Sequence, residues 1–104
     1  MSGRIERMAE RRDELMERVA EIDRRVAEIG TETSGMQQEI DDLRDGGYDQ
    51  DEIEPIQFAM DELEDERDTL ELLRVDCTIE LILIENNTRE LLSAWETSMR
   101  AVAP

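Results

Sequence analysis

Histidine and lysine are both missing from the 104 residues, and cysteine occurs once, at Cys77. Without histidine the chain lacks the commonest general base in enzymes. It also lacks the Glu-x-x-His signature by which helical bundles hold paired metal ions. One cysteine allows no intrachain disulfide, and its ordinary fate is that of a small buried hydrophobe. No Ser or Thr has a base placed beside it in a recognisable pocket. The expectation is therefore a protein that is not an enzyme, with no catalytic residues, no cofactor and no metal.

Aromatic residues number three and prolines two. A chain this poor in both, and dominated by Glu, Asp, Arg, Leu, Ile and Met, favours long helices over a sandwich or barrel. Long apolar runs are missing too. The longest, Leu81 to Ile84, falls far short of the roughly 20 residues that a membrane span needs. The opening MSGRIERMAERRDE has no apolar core of the kind a signal peptide carries. The expected location is cytoplasmic or virion-associated, with no signal peptide and no transmembrane segment.

What the sequence does have is negative charge. Asp and Glu number 29 against 12 basic residues, all of them arginine, for a net charge of −17. Acidity of this size without lysine is the style of salt-adapted, halophilic proteins, whose carboxylates stay hydrated while molar salt screens their repulsion. It argues against direct nucleic-acid binding, because such a chain repels phosphate. The same acidity admits a DNA mimic, and residues 49–71, with eleven acids and one arginine, are the segment for it. The aspartates around Gly46 and Gly47 invite a calcium reading, but the EF-hand spacing of ligands is not met.

In the first half, apolar residues recur at alternating steps of three and four. Ile5, Val19, Val26 and Ile40 occupy heptad position a, and Met8, Leu15, Ile22, Ile29, Met36 and Leu43 occupy d, with only Arg12 and Thr33 interrupting. This is the strong form of the coiled-coil signal. The patch from Gly30 to Gly35 is a poor helix former, its two glycines costing about 2 kcal/mol relative to alanine. Ile29, Met36 and Ile40 nevertheless keep their phase across it, which predicts one helix with a soft spot. Ser34 and Gln37 could alternatively cap a new helix there.

The segment from Asp45 to Asp51 reads as a turn. Gly46 or Gly47 suits the left-handed position after a helix, Asp49 or Asp51 suits an N-cap, Asp51 with Glu54 can make a capping box, and Pro55 is tolerable only near a first turn. A second heptad frame then runs through Ile53, Ile56, Met60, Leu63, Leu70, Cys77, Leu81, Ile84, Leu91, Trp95 and Val102, with Arg67, Arg74, Thr88 and Ser98 as polar members. The expected fold is all-α: a long antiparallel two-helix coiled-coil hairpin, oligomerising into a helical bundle. Helix 1 spans about 3–44, the turn 45–51 and helix 2 about 52–101, in a single domain over 1–104.

Folding about Tyr48 pairs residues whose numbers total 96. Ile40 then meets Ile56, Met36 meets Met60, Val26 meets Leu70, Val19 meets Cys77 and Leu15 meets Leu81, each an a residue opposite a d residue. Position g of helix 1 carries Arg4, Arg11, Arg18 and Arg25, and position g of helix 2 carries Glu52, Glu66 and Glu80. Antiparallel pairing brings the two g rows together, so this stripe is expected to fix orientation and register.

One stretch is left over. In TIELILIENN, residues 78–87, the seam needs Leu81 and Ile84, yet Ile79, Ile82 and Leu83 are apolar as well. An alternative makes 78–85 a strand, which would be apolar on both faces and would need partner strands from elsewhere. As a helix, a segment apolar all round must be buried all round, and another subunit must supply the missing wall. The expected partner interface is Ile79, Ile82, Leu83, Leu92, Trp95, Met99 and Val102, forming one apolar surface with Trp95 as anchor. The alternative for Trp95 is that it folds back on the N-terminal turn near Met8. The partner is a protein, a second copy of this chain or both. The functional expectation is a non-enzymatic scaffold or subunit of a larger complex, such as a virion or tail component or an adaptor from a halophilic system. An acidic DNA-mimic inhibitor is the alternative.

Overall fold

The computed structural model describes residues 2–102, with side chains over 3–100. It contains two helices and no strand among the described residues, α1 at Ser2–Asp45 and α2 at Gln50–Val102. They pair as an antiparallel helical hairpin, as the heptad frames require. Residues 78–85 are helical, which removes the strand alternative.

α1 runs without a break through Gly30 and Gly35. Thr31 Oγ1 donates to the Ala27 carbonyl at 3.2 Å and Thr33 Oγ1 to the Ile29 carbonyl at 2.9 Å. The hydroxyls of this weak patch thus turn back onto the preceding turn and do not cap a new helix. Helical phase on both sides of the patch outweighs the local propensity cost.

The reversal is a Schellman motif. The Tyr48 N–H donates to the Leu43 carbonyl at 3.0 Å and the Gly47 N–H to the Arg44 carbonyl at 3.1 Å. Gly47 takes the left-handed conformation, with φ of 78°. The Tyr48 ring lies against Gly46, where an added Cβ would stand 3.0 Å from its Cε2. α2 begins at Gln50, which puts Asp49 at the N-cap and Asp51 inside the first turn. The Glu52 N–H donates to the Asp49 carbonyl at 3.1 Å. Pro55 is accommodated early in this helix.

Two compact units make up the hairpin. The turn unit, Ala20–Arg74, buries Ile22, Ile29, Ile40 and Ile53, the last three essentially completely. The terminal unit joins Met1–Val19 to Val75–Pro104 and buries Leu15 and Cys77. Every seam residue from Met8 to Leu43 except Arg12 is buried or half-buried, and so is every one from Ile53 to Leu91 except Arg74. The seam is therefore the core of each unit.

The g rows meet as expected. In the turn unit Arg25 grips Glu66 with two hydrogen bonds, Nη2 to Oε1 at 3.1 Å and Nε to Oε2. In the terminal unit Arg11 Nε and Nη2 reach the two oxygens of Glu80 at 3.0 Å each. The residue numbers of each pair total 91, the value that the seam register imposes on g positions. Arg11 and Arg25 draw the Glu80 and Glu66 carboxyls below their ordinary pKa by these hydrogen bonds, and the nearby Arg18 charge acts on Glu80 in the same direction.

Candidate association surfaces

No helix among the described residues is long and apolar enough to cross a membrane, and these residues hold no cluster of three or more potential metal-ligating side chains. The features left to consider are exposed apolar faces. Ile79, Ile82, Leu83, Leu92, Trp95 and Met99 are all exposed, Trp95 at 57%. That exposure leaves Trp95 outside the core. Val102 ends α2, and its side chain lies outside the described residues.

Helix geometry separates these residues into two surfaces, whereas the sequence reading joined them in one. Each residue advances about 100° around the axis. Ile79, Ile82 and Leu83 fall on the side of α2 opposite the seam, and Val75 extends the same stripe by one turn. Leu92 and Met99 occupy e positions and Trp95 an a position, on the side that continues the seam. Between Val75 and Leu83 the outer stripe carries Asp76 as its one charged residue, Glu80 lying in the g row against Arg11.

The two flanks of the terminal unit differ in chemistry. On the g side the Arg11–Glu80 fork bridges the helices. On the e side Met16 faces Glu85, their numbers totalling 101 where the g pairs total 91, and Leu92 follows two turns further along α2; Met16 and Leu92 are both exposed. There the helices leave a groove of about 550 Å³ whose walls include Met16, Leu81, Ile84 and Leu92, with Arg12, Arg89 and Glu85 at its rim. Arg89 pairs with Glu85 along α2 at 3.2 Å, and Arg12 with its neighbour Asp13 at 3.6 Å. Met16 was absent from the expected interface because that interface was drawn from residues 79–102 of the second helix alone.

The turn unit has a different e side. Its groove is lined by Gln37, Arg44, Gln57 and Asp61 beside Ile40 and Met60. Arg74, a seam position by spacing, turns sideways to Asp23 at e, with Nε to Oδ1 at 2.7 Å. Sequence spacing gave no sign of this pair. Phe58, Leu72 and Leu73 are also exposed in this unit.

The chain matches no protein-family model, no curated protein and no solved structure.

Proposed function

We propose that this chain is a non-enzymatic structural or assembly protein, a helical hairpin that serves as a scaffold or subunit of a larger complex. The setting is a salt-adapted system, and a virion or tail component or an adaptor is the concrete form. One observation carries the reading. Among the described residues of the terminal unit only Leu15 and Cys77 are buried, while Val75, Ile79, Ile82, Leu83, Leu92, Trp95 and Met99 are exposed. Apolar exposure on this scale, even divided between two faces, marks association sites on soluble proteins. The test is native mass in molar salt for the wild-type chain and for an Ile82→Glu/Trp95→Glu variant, which places a charge on each apolar face. Loss of association with helicity retained supports the reading, and an unchanged assembly mass removes it.

The acidic segment supports a second reading as a DNA mimic, since Asp61, Glu62, Asp65, Asp68 and Glu71 are all exposed. Arg25 weakens it by engaging Glu66 from the same belt. Competition with duplex DNA for a basic DNA-binding protein separates the two readings: a scaffold leaves the duplex bound, and a mimic displaces it.

A further inference from the structure

The geometry points to a second copy of this chain as the occupant of the groove lined by Met16 and Leu92, the two copies packing e side to e side as a four-helix bundle about a two-fold axis. This deepens the assembly reading and rests on it.

The argument begins with the unequal flanks of the terminal unit. A two-stranded coiled coil needs apolar residues only at a and d, whereas a helix facing the core of a bundle carries them at a, d and one of e or g as well. Here the g flank is closed by Arg11 and Glu80, whereas the e flank carries the exposed apolar residues Met16, Leu92 and Met99, with Thr78 and Glu85 as its polar members. The pattern is that of two helices of a larger bundle, with the open side on e. The turn unit lacks it, because Gln37, Arg44, Gln57 and Asp61 line the corresponding groove.

Area agrees with a dimer. Met16, Leu92, Trp95 and Met99, with the groove walls Leu81 and Ile84, offer on the order of 400 Å² of exposed apolar side chain. A standard interface buries about 800 Å² on each partner, somewhat over half of it apolar, so the two figures are comparable.

Charge favours this face over the outer one. The groove rim holds both signs, Arg12 and Arg89 against Glu85, with Arg89 paired to Glu85 and Arg12 to its neighbour Asp13 within their own helices. A two-fold axis lets these partners exchange between copies without leaving like charges opposed. Between Val75 and Leu83 the outer stripe has Asp76 and no cation, since Glu80 belongs to the g row that Arg11 engages. Two copies meeting there would bring acid against acid, in a chain already at −17.

Sedimentation equilibrium of the full chain in 0.15 M and molar KCl tests the proposal, comparing wild type with Met16→Glu, Leu92→Glu and Ile82→Glu. The expected wild-type mass is twice 12.1 kDa. The two groove variants should weaken dimerisation by about 30-fold or more, as loss of a buried interface anchor does, with helicity unchanged. Ile82→Glu should leave the mass unaltered. Should a glutamate variant lose helicity, Leu92→Gln is read in its place. A dimer that survives both groove substitutions and is lost in Ile82→Glu overturns the groove as interface while leaving the assembly reading intact. A chain that stays at 12.1 kDa at millimolar concentration overturns self-association altogether.

Discussion

Arg11 and Glu80 stand 69 residues apart in the chain and share two hydrogen bonds of 3.0 Å each. The pair is bidentate, the geometry in which a guanidinium and a carboxylate are best matched. It follows from the register alone, since g rows of antiparallel helices meet side by side. Both partners are exposed, so the pair orients the helices more than it stabilises them.

A pH-dependent signature follows. The folded Glu80 carboxyl titrates below its ordinary 4.5 because Arg11 holds it by hydrogen bonds. Its contribution is fully present above the unfolded value and is lost as pH falls through the lowered folded one. Glu80→Gln should therefore lower the melting temperature at pH 7 even though it removes a negative charge. The gap to wild type should close as pH drops below 4.5. Glu62→Gln, which removes an exposed acid from the belt, should leave the melting temperature unchanged or raise it. Thermal melts of all three proteins from pH 7 to pH 3 would measure this; equal effects of the two substitutions would show that Arg11 contributes nothing through Glu80.

Three glycines should respond in opposite senses. Gly30 and Gly35 lie within a continuous helix, and an added Cβ meets nothing within 4 Å at either. Alanine at each should stabilise the fold by about 1 kcal/mol. Gly47 has φ of 78°, so Gly47→Ala should destabilise by about 1–2 kcal/mol from the left-handed penalty. Urea denaturation reads all three. Destabilisation by Gly30→Ala or Gly35→Ala would mean that α1 breaks at the glycine patch.

The seam was legible because burial in a coiled coil is written in spacing. The a and d residues from Leu15 to Leu43 are all buried or half-buried, and Arg25 is the one residue off the seam that joins them. Continuity through Gly30 and Gly35 was legible from preserved phase. Arg74 was not, because spacing assigns it to the seam while its long flexible stem carries the guanidinium out to Asp23. The division of the apolar residues into two faces was latent in the heptad letters. Grouping by position along the chain hid it, since Leu83 and Leu92 are near in number but lie on opposite sides of α2. Met16 was hidden for a related reason: an exposed flank methionine on one helix gains meaning only when Leu92 is seen across the groove from it.

Salt should strengthen the fold. With 29 acids against 12 arginines, unpaired carboxylates repel throughout, and only a few are engaged by arginine across the helix pair. Molar KCl shortens the Debye length to about 3 Å and removes most of that repulsion. Helicity by circular dichroism, or the melting temperature if helicity is already complete, should rise substantially from dilute buffer to molar KCl. A flat response would detach the acidity from salt adaptation.

Register can be tested with the chain's own cysteine. Cys77 is buried on the seam of the terminal unit, and the total of 96 places Val19, which is half-buried, across from it. A Val19→Cys variant should close an intramolecular disulfide under mild oxidation, because residues facing across a helical seam can bring their Cα atoms within the roughly 7 Å that a bridge requires. Met8→Cys is the control. Met8 lies on the same seam and in the same unit, but it is about 16 Å along α1 from Val19 at 1.5 Å per residue, too far to reach Cys77. Non-reducing electrophoresis and intact mass would separate an internal bridge from a crosslink between chains. Closure with Val19→Cys and none with Met8→Cys supports the pairing of g rows that places Arg11 on Glu80. The reverse result would displace the register by three turns of helix and take that pair with it.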